Sequence, residues 1–420
     1  MDGGKEPMCT AARSVLPVLL GIVLASCGGG GSTPVAGGPS GSNTSGGGTS
    51  GGGSSGGGTS GGGSTACLTA PPSPMSLVPA VYITDASPSN IAGLTIDESS
   101  GALAVMAGSP FPSDGEDYAI AVDPKAPLAY SASSAGGYIH VYSISPTTGA
   151  LTELSCGPYF TQETSVSVAI DPSGTFLFTA GGTASVTGFS ISSDGSLTPL
   201  SGSPFATGSN PLAVTFDPVA PFMYVADSGD DTVTGYAYNL TTKQFTPVPG
   251  SPFTTDGPAR LGGHPQSLAI DPQGKFLFSA NFSDSNLSAY KIDPGTGALS
   301  AVAGSPFFSG SGAWDLAVDH SGHYLYVASG DNKVHTFGID ANSGALTELS
   351  LNPYILNASL TALTIDSSGK YVYALDNAAD DVVAYLIDPQ TGALSLLAGD
   401  PFELEPGVQG LGPTMIAATP

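Results

Sequence analysis

The sequence predicts an all-β chain, a seven-bladed β-propeller of four-stranded blades whose ring is closed by the C-terminal strand pairing into blade one. Three observations carry that expectation. A Pro-aromatic pair recurs about every 47 residues. Each repeat holds four short strand signals, and the first repeat lacks an innermost strand that reappears at the C-terminus.

The pairs are Pro110-Phe111, Pro158-Tyr159, Pro204-Phe205, Pro252-Phe253, Pro306-Phe307, Pro353-Tyr354 and Pro401-Phe402, which makes seven units. The fifth unit shows the strands well. Gln266 to Asp271 is the first, Lys275 to Ala280 the second, Leu287 to Asp293 the third and Ala298 to Gly304 the fourth, as alternating or β-branched apolar runs bounded by turn residues. An Asp-x-x-Gly turn joins first to second strand at Asp171 to Gly174, Asp319 to Gly322 and Asp366 to Gly369, where the Asp side chain and a glycine suit a tight reversal. Four-stranded repeats without helical periodicity point to blades around a channel, with a solenoid as the rival.

The chain ends decide between them. The first unit opens at Val81-Tyr82-Ile83, a second-strand signal, while Pro413 to Ala418 repeats the pattern of the inner strand Pro265 to Ile270. Supplying blade one from the C-terminus leaves no open inner edge, whereas a solenoid needs caps that this chain does not show.

Residues 1–26 read as an export signal: Lys5 and Arg13 precede an apolar run, Val15 to Ala25, that is about a dozen residues long and too short to span a bilayer. Leu24-Ala25-Ser26-Cys27 resembles a bacterial lipobox, which implies acylation of Cys27 and a cell-envelope location, periplasmic or surface. Residues 27–66 are then the lipidated cysteine and a Gly/Ser/Thr tether with a reach of about 30 to 40 Å. Residues 67–78 form a lead-in and 79–420 the propeller.

The formal charge is −25. Beyond residue 26 the only arginine is Arg260, beside six lysines, so nucleic acid is excluded as a partner for want of clustered positive charge. A monomer is expected. Cys67 and Cys156 either pair, which an oxidising compartment allows, or stay as two thiols.

The repeat unit, Pro-x-x-Leu-Ala-Ile-Asp-Pro-x-Gly-Lys-Phe-Leu-Phe at 265–278 followed by Thr-Gly-Ala-Leu and by Gly-Ser-Pro-Phe at 304–307, resembles the lactonase-type propellers typified by bacterial 6-phosphogluconolactonase. The resemblance covers about residues 79–420 and implies a possible lactone hydrolase with its site at the channel mouth. There the loops from fourth to first strands meet those between second and third. The longest such loop, Thr254 to Gly263, holds Arg260, with His264 just after it. Ester hydrolysis needs a group to activate water and a cation or donors for the oxyanion, so His264 is the candidate base and Arg260 the candidate stabiliser.

The same loops carry Asp227, Asp331 and Asp376, assigned to ligand binding, and Trp314, which either stacks on a sugar ring or wedges between blades. The carboxylates match no calcium-loop spacing and the histidines form no zinc cluster, so neither a metal nor a cofactor is expected. No Gly-x-Ser-x-Gly elbow or Cys/His pair supports covalent hydrolysis. The leading function is an anchored module binding a small molecule, glycan or protein at its loop face. The alternative is the lactone hydrolase.

Overall fold

The computed structural model describes residues 67–68, 77–85, 89–113, 116–161, 163–255, 263–349, 359–404 and 413–420, all within the compact unit 62–420. Residues 1–66, read above as signal and tether, with Cys27 among them, and also Arg260 and the Pro353-Tyr354 pair, lie outside the described residues.

Seven antiparallel sheets run in the order inner, second, third, outer strand. Blade five has Pro265–Ile270, Phe276–Asn281, Asn286–Ile292 and Leu299–Ala301 in those places. Its outer strand is interrupted, because Phe307–Phe308 returns to pair with the start of the third strand at Asn286 and Leu287. The uninterrupted fourth strand read from the sequence is therefore two short pieces. At the break a third-strand amide is uncovered, and the serine of Gly-Ser-Pro-Phe caps it: Ala289 N donates to Ser305 Oγ at 2.9 Å. Gly93, Gly188 and Gly235 donate likewise to Ser109, Ser203 and Ser251, and Asp400 replaces the serine in blade seven. The motif recurs because these five blades each have one such orphan donor to satisfy, while blade two carries Gly157 at the serine's place.

Blade one closes as the sequence predicts. Pro413–Ala418 is its inner strand, antiparallel to Ala80–Asp85 with Tyr82 opposite Ala417. Thr419 ties the splice further, its amide donating to the Ala80 carbonyl at 2.8 Å and its Oγ1 accepting from Ala80 N at 3.0 Å.

One apolar cluster fills each of the seven blade interfaces. A polar latch crosses five of them. The second-strand tyrosines Tyr82, Tyr130, Tyr224, Tyr326 and Tyr373 donate to the carbonyls of Gly149, Gly195, Gly297, Gly392 and Gly101, each in the next blade's Gly-containing third-to-outer turn. Those glycines also have positive φ, and at Gly297 a Cβ would sit 2.6 Å from the Phe222 ring of the preceding blade. Blades three and five carry Phe178 and Phe278 at the latch position.

The latch from Tyr373 to Gly101 seals blade seven against blade one. Tyr373→Phe strands a buried carbonyl, and the expected cost is about 1–2 kcal/mol in urea unfolding, against a negligible change for an exposed tyrosine such as Tyr138.

Candidate functional site

Six of the seven inner strands share one irregularity at their loop-face end. Their register with the second strand slips by one residue between Asp117 and Ala119, Pro211 and Ala213, Pro265 and Ser267, Ala313 and Asp315, Leu360 and Ala362, and opposite Thr84 and Asp85. A bulge of this kind leaves one residue unpaired and re-aims it, and bulges favour the rims of sites. The unpaired residues are Tyr118, Leu212, Gln266, Trp314, Thr361 and Thr414. Where side chains are described they are all part exposed although the strands behind them are buried, Tyr118 most at 37 %. Together they ring the loop-face end of the inner strands and form the mouth of the axial channel.

His264 immediately precedes the inner strand of blade five. The loop is held by His264 N donating to Asp231 Oδ1 at 2.9 Å, with both residues at positive φ. Its ring Nδ1 lies 2.9 Å from the Ser228 carbonyl oxygen, which can only accept, so neutral His264 carries its proton on Nδ1. Nε2 is thereby left as the basic nitrogen. Arg260 belongs to the same loop and lies outside the described residues.

Trp314 is partly buried, and its indole rests on Phe282 from the loop of the preceding blade, ring centroids 4.1 Å apart at 42°. Gly312 permits that approach, since it has φ of 65° and a Cβ there would meet the Phe282 ring at 2.9 Å.

The three carboxylates assigned to ligand binding have other partners. Asp227, fully buried, accepts from the hydroxyls of Thr232 and Thr234, and burial pushes its pKa up to about 6. Asp376, also buried, accepts from the amides of Ser359, Ala378 and Ala379. Both end a second strand and organise the following turn, which accounts for the residue type without a ligand. Asp331 is part exposed but contacts His335 Nε2 at 3.0 Å and Lys333 Nζ at 3.4 Å.

His335 touches Glu348 as well, Nδ1 to Oε1 2.7 Å, and His140 makes the matching contact with Glu153 at 2.9 Å. Both histidines are buried, and they hold these glutamates within their own blades. A signal was available. Only blades two and six carry His at this third-strand place, and only they carry Glu at the facing outer-strand place.

Blade seven concentrates negative charge near the mouth. Asp381 faces Asp376 on the second strand and Glu403 on the outer piece. Burial, then repulsion from Asp376, Asp400, Asp380 and Glu403, pushes its pKa up to about 7, while burial takes Asp400 to about 6. Lys333 is the only described lysine on the loop face. Lys125, Lys275 and Lys370 lie in or beside inner-to-second turns, and Lys243 and Lys291 near third-to-outer turns, all at the opposite end. Among the described residues no group of three or more His, Cys, Asp or Glu side chains is arranged to hold a metal ion.

Away from the mouth, Cys67 and Cys156 are joined in a disulfide, Cα atoms 4.9 Å apart. Leu68 N donates to the Asp194 carbonyl, and both Cys67 and Leu68 pack on the cluster between blades two and three. The lead-in is thus fixed to the rim at blades two and three, away from the blade-one strand that it precedes.

Comparison with known proteins agrees with this architecture. A family profile described as lactonase, 7-bladed β-propeller, matches residues 80–408. No curated protein matches the sequence. Among solved structures the chain is similar to a candidate 6-phosphogluconolactonase of Bacteroides uniformis, with TM-score 0.69 and 16% identity over 81% of this chain and 99% of that one. It is similar also to the periplasmic gluconolactonase PpgL of Pseudomonas aeruginosa, with TM-score 0.65 and 16% identity over 82% of this chain and 99% of that one. At such identities the likeness concerns the fold.

Proposed function

The chain belongs to the lactonase family of seven-bladed β-propellers, and from that premise we propose that it hydrolyses an uncharged sugar lactone at the mouth of its channel, outside the cytoplasm. The observation that carries this reading is His264. Its Nδ1 is committed to the Ser228 carbonyl, so Nε2 is free to take a proton from water beside the mouth. The water oxygen then bonds to the lactone carbonyl carbon and the ring C–O bond breaks. The imidazolium returns its proton to the departing alkoxide, and the new carboxylic acid gives its own proton to solvent, so that the hydroxy acid leaves as its carboxylate. Arg260, four residues upstream, is the proposed oxyanion partner.

The substrate is uncharged on electrostatic grounds. A phosphate monoester needs several donors and positive potential. The described loop face offers one lysine, already beside Asp331, among many carboxylates. The same field favours release, because a neutral ester enters and an anion departs. A sugar phosphate is also a cytoplasmic metabolite, whereas residues 1–26 read as an export signal with Cys27 as the lipid-bearing residue. The Pseudomonas relative of known fold, called a periplasmic gluconolactonase, points the same way.

A second reading, ligand capture without turnover, draws on one observation. His264 is oriented by a neutral carbonyl where catalytic histidines commonly have a carboxylate, so no charged group is there to stabilise an imidazolium. One assay separates the two. The full-length chain in detergent is offered a panel of lactones by pH-stat. Turnover of D-glucono-1,5-lactone well above the buffer rate is expected, falling about 100-fold in His264→Ala. Activity that survives His264→Ala and Arg260→Ala rejects this site, and a buffer-level rate in the parent chain leaves capture as the function.

A further inference from the structure

Repeat equivalence gives the mouth a composition that the rest of the ring lacks. At the bulge the blades present Tyr118, Leu212, Gln266, Trp314 and Thr361, with Val166 at the equivalent place in blade three. Elsewhere on the inner strands many part-exposed positions are small or aliphatic, as Ala121, Ala169, Ala269 and Ala317 show, beside Thr215, Asp315, Thr364 and Met415. The two aromatic side chains among the part-exposed positions, Tyr118 and Trp314, both stand at the level where the backbone slips.

Of these, Trp314 is the best prepared to receive a flat partner. Phe282 fixes its indole from one side, and its neighbours around the ring are polar, Gln266 in blade five and Thr361 in blade seven. Gln266 also stands two residues from His264. Tyr118 belongs to blade two, on the other side of the mouth. Thr84 Oγ1 donates to the Tyr118 carbonyl at 3.1 Å, holding this residue against blade one. The residue as a whole remains over a third exposed.

We infer that these bulge residues read the ring of the substrate: Trp314 is the stacking surface for the C–H face of a sugar ring, Gln266 flanks it as a hydroxyl partner, and Tyr118 supplies a second aromatic surface across the mouth. The assignment rests on the reading of the mouth as a lactone site, and makes it a site for carbohydrate rings. An aromatic face with adjacent polar groups binds a pyranose through apolar contact and hydrogen bonds without any cation, which suits a mouth rimmed by carboxylates.

The experiment uses the sequence's single tryptophan as its reporter. The full-length chain in detergent is titrated with D-glucono-1,5-lactam, a stable uncharged ring, and with 6-phosphogluconate as an anionic control. A saturable change in Trp314 emission is expected with the lactam and none with the phosphate. In parallel, Trp314→Ala should raise KM for D-glucono-1,5-lactone at least tenfold with kcat within about threefold, the pattern of lost binding that ground and transition states share. Trp314→Phe should recover most of that loss, and Tyr118→Ala should show a smaller rise. Thermal unfolding of each variant checks folding, and calorimetric lactam binding follows the variants without tryptophan.

The outcomes separate this assignment from hydrolysis itself. Turnover by the parent chain with KM unmoved in Trp314→Ala overturns the aromatic assignment and keeps the lactonase. Saturable lactam binding that Trp314→Ala abolishes, without turnover, supports the assignment and removes the hydrolysis. A parent chain that neither binds lactam nor turns over lactone overturns both.

Discussion

Deleting residues 413–420 should abolish the cooperative unfolding transition. The deletion uncovers one whole edge of Ala80–Asp85, whose Val81, Tyr82 and Ile83 are fully buried. It also removes Ile416 from the cluster between blades seven and one, together with the two hydrogen bonds that link Thr419 and Ala80. Exposing three large apolar side chains costs about 5 kcal/mol, and the unpaired strand amides add to it, which is the full stability of many domains. The check is calorimetry of the truncated chain, with Ile416→Asp as a full-length counterpart. A truncated chain that melts within a few degrees of the parent would show that the ring does not depend on its splice.

Acidification from pH 8 to pH 5 should raise the melting temperature. Asp381 and Asp400 hold their protons to about pH 7 and pH 6 in the folded chain, as Asp227 does to about pH 6, against about 3.9 when unfolded. Between those limits the folded state binds more protons than the unfolded one, so stability falls as pH rises and is regained as pH is lowered. Burial moves Asp117, Asp123, Asp217 and Asp315 in the same direction. The opposite group, Asp97, Asp293, Asp340 and Asp388 in exposed turns, has lowered values from hydrogen bonds and matters only below about pH 4. The optimum therefore lies near pH 5. Asp381→Asn removes one of these contributors: the pH 8 chain should gain about 2–4 kcal/mol in urea unfolding, with a flatter profile from pH 5 to 8. A variant less stable than the parent at pH 8 would mean that Asp381 is neutralised by a partner.

The ring was legible in the sequence because its evidence is repeated. Seven copies of an alternating pattern agree, and the displaced inner strand has the same Pro-x-x-x-Ala signature at both places. What depends on one place in space was harder to read. Asp227 and Asp376 looked like ligand carboxylates because sequence shows residue type but not direction, and each turns into its own loop. Tyr118 was overlooked because Asp117 to Val122 reads as a regular strand, and a one-residue slip in pairing leaves no mark on composition. It is visible only when the seven inner strands are set side by side and their second residue is seen to be Thr, Tyr, Val, Leu, Gln, Trp or Thr. The two cysteines could not be joined from their spacing, since nothing local places Cys67 on the rim of blade two, away from the blade-one strand it introduces.

That placement has a mechanical consequence. A tug on the segment upstream of Cys67 meets a covalent bond first, and passes through Cys156 into the outer edge of a blade that is fully assembled. The hydrogen-bonded splice at Ala80 and Thr419 sits downstream of that bond and is sheltered from the load, as a rope tied to the body of a barrel spares its seam.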